Sequence, residues 1–293
     1  MAPGESLPRS TSGSSHEDGI ALRHVALVFV VATYLTTVLA GPMIALVVEA
    51  VRAGLARAFT SLLAPDATRA LVMSLALGAI AVVVNGVLGV LGALVIVRHR
   101  FVGRRVLSAL VDLPLAISPV MVGLAFILVF GRGGLAAPVL TFLDVRVLFA
   151  FPSLVIATLF VTLPYTVREI AYILEELGTS EEEAATTLGA SPWQCFWRVT
   201  FPNIRGTLLY GIVMAFARAL GEFGAVLVLG GSISSETQTA TTFLHDALEE
   251  RQTDAAYGMA LVLSTASVAL LLVLEQMRRR SSGREDRDHG DES

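Results

Sequence analysis

A chain of 293 residues that is 54 % hydrophobic and only 16 % charged is too apolar to be a soluble domain of ordinary composition. Its charges gather at the ends and in a few loops, so the net charge of −4 says little about partners, and nothing suggests nucleic acid. A single cysteine, Cys195, excludes a disulfide framework and a multi-cysteine metal site; a packed, neutral thiol is expected there.

Residues 1–19 are rich in Ser, Gly and Pro without apolar periodicity, and a disordered tail is expected. The first hydrophobic run, Ile20 to Val48, is long enough to cross a bilayer core of roughly 30 Å. Leu39-Ala40-Gly41 has the form of a cleavage site, but apolar sequence continues past it, which favours a retained span. In the second run, Ala70 to Val97, Gly86, Gly89, Gly92 and Ala93 form a strip poor in side chains where another helix can approach. Asn85 is its one strongly polar residue, and either an interhelical hydrogen bond or a place on a pathway accounts for it.

The third run, Val106 to Phe130, carries Asp112, Pro114 and Pro119; prolines inside a span break the backbone ladder, which neighbouring helices must repair. The fourth, Phe149 to Leu174, contains Pro152 and Pro164. The fifth, Gly206 to Gly231, holds Arg218 and Glu222, four apart and so on one helix face. Intramembrane charges face a bundle interior or a wet cavity, and both a translocation path or gate and a structural ion pair fit them. Gly221 and Gly224 flank the pair and permit close approach across a two-fold axis or a small backbone adjustment during gating. The sixth run, Ala255 to Met277, precedes a charged tail, 278–293. The fold expected is an all-α polytopic membrane protein with about six spans over 20–277.

The longest polar interruption, 177–202, reads as two short helices joined by an elbow. Ser180 and Glu183 have capping-box spacing, with three glutamates at the positive helix end. Gly189 suits a left-handed stop. Ser191, Pro192 and Gln194 then start a second helix with Trp193, Phe196 and Trp197 on one face, and Pro202 is expected to end it. Such a segment is either a docking surface or an ordinary interfacial amphipathic loop.

Arginines set the orientation. Arg98, Arg100, Arg104 and Arg105 follow the second run and Arg278, Arg279 and Arg280 follow the sixth. The loop between the fifth and sixth is acidic, with Glu236, Asp246, Glu249, Glu250 and Asp254 against Arg251. The positive-inside rule puts both termini and the elbow in the cytoplasm of a cell-membrane protein. Arg52, Arg57 and Arg69, between the first and second runs, dissent.

Glu183-Ala184-Ala185, three residues, Gly189, nine residues, Val199, one residue, then Phe201-Pro202 resembles the EAA loop of ABC-transporter permeases that work with a solute-binding protein. Val199 and Phe201 stand where that family prefers Ile and Leu. Leu113 to Leu124 and RALGEFGA, Arg218 to Ala225, resemble segments of the molybdate, tungstate and sulfate permeases. The resemblance implies that 177–202 is a coupling helix seated in an ATPase subunit, with Glu183 and Gly189 fixing its geometry and Trp193, Phe196 and Trp197 anchoring it. It further implies a second permease subunit (a homodimer), two cytoplasmic ATPase subunits, an external solute-binding protein, and an oxyanion as cargo. Phosphate, ferric iron and polyamine permeases are the alternatives within the class.

The residues agree that energy must come from elsewhere. With no lysine, the phosphate-cradling GxxxxGK[ST] loop is impossible, so no cofactor is expected on this chain, and ATP and Mg belong to the partner. His16, His24, His99, His245 and His289 are scattered, which disfavours a metal site. No nucleophile signature suggests an enzyme. A secondary transporter is the rival class; it predicts internal repeats and discontinuous spans.

Overall fold

The computed structural model describes the backbone of residues 14–288 and the side chains of residues 26–52 and 54–277. Its helices are α1 (Ser14–Ala53), α2 (Leu55–Ser61), α3 (Pro65–Arg98), α4 (Arg104–Ala116), α5 (Pro119–Phe130), α6 (Ala137–Phe142) and α7 (Phe151–Leu177). They continue with α8 (Ser180–Thr187), α9 (Pro192–Cys195), α10 (Phe201–Leu220), α11 (Gly224–Gly230), α12 (Ala240–Glu249) and α13 (Thr253–Asp288).

The chain divides after residue 52 into two units. The first contains α1, in which Glu49 and Arg52 pair at 2.8 Å one turn apart. Ser14 to Gly19, expected to lack structure, are the first turns of this helix; residues 1–13 lie outside the described residues. Likewise the charged stretch after Met277 continues α13 as helix to Asp288, with 289–293 and the side chains of Arg278 to Arg280 outside the described residues.

In the second unit α3, α7 and α10 pack on one another around Val90, Ala93, Ile96, Val167, Ile170, Leu174 and Ile204. The glycine strip of α3 makes this possible. A Cβ on Gly89 would lie 2.5 Å from Thr166 Cγ2 and 2.9 Å from its Cβ; one on Gly86 would lie 3.2 Å from Ile212, and one on Gly78 2.6 Å from Phe216. Asn85 is buried at the same seam, donating to Thr162 Oγ1 at 2.7 Å and to the Leu159 carbonyl at 3.3 Å. The interhelical bond is therefore what this side chain makes.

Contacts at the helix ends fix the topology. Arg98, at the end of α3, donates to the Leu174 carbonyl near the end of α7, so these helices run in parallel. Ser153, near the start of α7, donates to the Leu229 carbonyl in α11, so the α10–α11 path runs antiparallel to them. Ser61 donates to the Asp254 carbonyl, Ser74 accepts from the Ala240 amide, and Gly258 lies against Ala58; α13 thus starts where α3 starts. One end of the bundle gathers the arginine-rich 98–105 segment and the elbow; the other gathers α2, α12 and the acidic 5–6 loop.

Two of the expected spans are not single helices. Among the described residues four helices are long and apolar enough to cross a membrane, and the count reaches six only if two bent pairs each make one span. α4 and α5 meet at 118°, and the Pro192–Leu220 helix meets α11 at 56°. Pro119 supplies the first break: it cannot donate to the ladder and opens α5 at its first turn, behind an extended Ile117. Pro114 and Pro164, by contrast, lie inside helices.

Replacing Gly89 with alanine forces α3 and α7 apart, and we expect a loss of about 1–3 kcal/mol from overpacking. Gly92, whose added Cβ would meet Val167 at an ordinary 3.4 Å, is expected to accept alanine neutrally or with a small gain from helix propensity. Thermal unfolding of the purified protein in detergent compares the two.

Candidate functional site

The elbow follows its local signals closely. Gly189 has φ +88°, its amide reaches the Thr186 carbonyl at 2.9 Å, and the Ala190 amide reaches the Ala185 carbonyl at 3.0 Å. This is the paired closure of a Schellman stop. The second capping box is present in full: the Ser191 hydroxyl accepts from the Gln194 amide and the Gln194 side chain from the Ser191 amide. The first box is absent. Thr179, not Ser180, is the N-cap of α8, and its hydroxyl donates to Glu183 Oε1 at 2.6 Å on the surface.

Pro202 does not end the second helix either. Between α9 and α10 the chain makes a π turn, Phe196–Thr200, in which the Phe201 amide reaches the Phe196 carbonyl. Proline has no N–H for the carbonyl four residues back and its ring crowds that oxygen; the wider turn accommodates both defects. Elbow and fifth span are consequently one continuous helix from Pro192 to Leu220.

Glu182, an undistinguished member of the three glutamates, ties the elbow to the bundle. Its Oε2 lies 3.0 Å from Arg98 Nε and its Oε1 accepts from the Thr200 hydroxyl at 2.8 Å. Arg98 also holds the Leu174 carbonyl at 3.0 Å. Glu181 accepts from Asn203 at 2.6 Å, and the Cys195 thiol, half-buried, faces the Glu182 carbonyl. On the outer face Leu188 is 89 % and Trp193 70 % exposed, beside Trp197 and Phe196, whose rings stack with Trp193 and Phe201 at centroid distances of 4.9–6.4 Å. Ala184 is exposed and Ala185 half-buried.

The second feature is the break at Gly221–Phe223. Arg218 and Glu222 do pair, at 2.7 Å, but across a helix end rather than along one face: Glu222 lies beyond α10 and is buried. Its Oε1 accepts from the Ala225 amide at 3.1 Å, and its carbonyl accepts from the Thr241 hydroxyl of α12 at 2.7 Å. Phe223 lies against the His245 ring, 5.2 Å between centroids. Within the chain, Gly224 lies close to the other broken span, since a Cβ there would lie 3.2 Å from Pro119 and 3.0 Å from Val120. At Gly221, with φ −91°, an added Cβ would meet only the Ala217 and Arg218 carbonyls, at an ordinary 3.9 Å. The tips of the two broken spans thus pack on each other, at Pro119 and Gly224.

A third arrangement has no local sequence signal. Arg168 of α7 forms an ion pair with Asp112 of α4, engaging both carboxylate oxygens, and donates to the Ser108 hydroxyl at 3.0 Å. They border a cavity of about 870 Å³ between α4 and α7. Among the described residues no cluster of His, Cys, Asp and Glu fits a metal ion.

Glu182→Ala strips a largely buried arginine of its counter-ion, and a loss on the order of 2 kcal/mol is expected. Glu183→Ala removes one exposed contact and costs under about 1 kcal/mol. Both tryptophans of the chain lie in the elbow, so their emission during thermal unfolding reads the difference.

Residues 85–285 match the family described as the binding-protein-dependent transport system inner membrane component. The chain is 40 % identical over 271 residues to a "Sulfate transport system permease protein CysW" of Synechococcus elongatus, covering 92 % of this chain and 91 % of that one. It is 38 % identical over 251 residues to the Escherichia coli K12 protein of that name, covering 86 % of each chain. To the "Sulfate transport system permease protein CysT" of the same organism it is 34 % identical, covering 82 % of this chain and 86 % of that one. A crystal structure of a bacterial ABC transporter involved in alginate import superposes with a TM-score of 0.74 at 19 % identity, covering 90 % of this chain and 98 % of its counterpart, a likeness of fold. The chain belongs to the binding-protein-dependent inner membrane permeases.

Proposed function

We propose that this chain is the membrane permease subunit of an ATP-driven importer of sulfate, handed over by a solute-binding protein. The observation that carries this reading is the elbow, an exposed aromatic face fixed by its own caps and bolted to the bundle by Glu182. The extensive similarity to sulfate permease proteins supports the cargo. The chain itself does no catalysis; ATP and Mg are used by a partner ATPase. Closure of two nucleotide-binding subunits would drag the elbows, and the movement passes through two rigid links. One is Arg98, to the ends of α3 and α7; the other is the unbroken Pro192–Leu220 helix, to the break at Glu222. The broken spans, with Arg218, Glu222, Gly224 and Pro119, then switch between inward-open and outward-open arrangements.

The elbow end is cytoplasmic in this proposal, because it collects Arg98, Arg100, Arg104 and Arg105 while the opposite end carries the acidic α12 region. Self-pairing is one way to complete the pathway. That Escherichia coli has both a CysW and a CysT, each similar to this chain, favours a related but distinct second permease subunit.

Three outcomes test these statements. In proteoliposomes with ATPase and binding protein, radiolabelled sulfate uptake should require ATP; uptake of another solute alone would overturn the cargo. Trp193→Ala, at an exposed site, should leave unfolding unchanged but weaken the ATPase subunit's affinity roughly 30-fold, the size of a 2 kcal/mol anchor. Unaltered affinity and coupling would remove the elbow from the docking surface. For orientation, a membrane-impermeant maleimide on intact cells should label Gln252→Cys and spare Leu188→Cys, in a chain whose Cys195 is replaced.

A further inference from the structure

We propose that the cavity between α4 and α7 is a passage site for a tetrahedral oxyanion dianion, held there by the Arg168 guanidinium in competition with Asp112. The inference rests on the sulfate-importer reading and adds to it a binding site within the membrane. Asp112 lies eight residues into α4 and Arg168 seven residues before Glu175, about two helical turns, or roughly 10–12 Å, inside the elbow end. Charges at that depth are costly unless they line a wet space. Here the side chains remain 42 % and 40 % exposed even while paired, on the wall of a cavity of about 870 Å³.

The donor geometry suits the ligand. A guanidinium presents a planar fork that binds two oxygens of a carboxylate or of a tetrahedral oxyanion alike. In this structure Asp112 occupies the fork through Nε and Nη2, and the Ser108 hydroxyl accepts from the same Nη2 at 3.0 Å. Asp112 therefore fills the place an incoming dianion would take. Arg104 and Arg105 lie at its elbow end, Arg104 only loosely engaged with Glu175 at 3.9 Å and Arg105 with no ion pair among the described residues, while Glu169 and Glu175 also line the cavity and balance their charge. Competition from an internal carboxylate keeps the site weak. A transport pathway needs that weakness, because an ion that binds tightly does not leave.

The test uses the permease complex with its ATPase, purified without the solute-binding protein, and radiolabelled sulfate as the probe. Asp112→Asn should tighten sulfate binding about tenfold or more by removing the competitor, and slow uptake several-fold once the binding protein is restored. Arg168→Gln should abolish sulfate binding to the complex. The double variant Asp112→Asn/Arg168→Gln keeps the neutral shape of the pair and controls for folding, checked by elbow tryptophan emission; it should remain uptake-deficient. Wild-type uptake in the double variant, or unchanged sulfate binding in Asp112→Asn, would show a purely structural pair and overturn the site. A wild-type complex that carries no sulfate at all sinks the importer reading instead, so the two failures are told apart.

Discussion

The guanidinium of Arg98 is the point through which the polar end of this protein becomes one body with its apolar interior. It closes the last turn of α7 through the Leu174 carbonyl and meets Glu182 of α8, which in turn holds Thr200 at the root of the long fifth helix. Three separate elements end within one hydrogen-bonded knot. Helix ends leave carbonyls without partners, and a cation is favoured there by the helix dipole as well. An exposed loop would absorb a push from outside by bending. This one, closed at Gly189, capped at Ser191 and fastened through Glu182, is held to the bundle.

Where the push arrives is set by backbone defects. The helix from Pro192 to Leu220 is uninterrupted because the π turn absorbs Pro202, so a displacement of the aromatic face travels along it to Gly221. Beyond that residue the ladder stops, and Glu222 takes over its work: one oxygen caps α11, the other neutralises Arg218, and its carbonyl is held by Thr241. The other broken span abuts this joint through Pro119, which has no amide hydrogen to give. Discontinuous helices are expected of secondary transporters, yet here they occur in a chain of the binding-protein-dependent family. The break by itself does not identify the source of energy.

What could be read from the sequence was what is encoded locally. Ser191, Pro192 and Gln194 determine a helix start within four residues, Gly189 determines a stop, and the glycines of α3 announce a close neighbour without naming it. The errors share one cause. Thr179 and Ser180 are adjacent and equally able to cap, and only the direction of the incoming chain from Gly178 chooses between them. A bent pair and a straight span have the same hydrophobic content, so the 118° turn at Ile117 was invisible although Pro119 was in plain view. Asp112 and Arg168 are separated by 56 positions, Arg98 and Glu182 by 84; no periodicity links them, and only the parallel alignment of α3 and α7 brings the second pair within reach.

Arg168 of α7 and Arg218 of α10 are both matched to a carboxylate. In a bilayer that pairing is first a matter of solvation, since an unmatched guanidinium could not be held there without water. The two pairs differ in what surrounds them. Glu222 is buried and spends its second oxygen on a backbone amide, so its charge is committed to the shape of the break. Asp112 faces an open cavity and holds nothing but Arg168. The fold thus holds one arginine whose partner is tied into the backbone and one whose partner stands beside an open cavity.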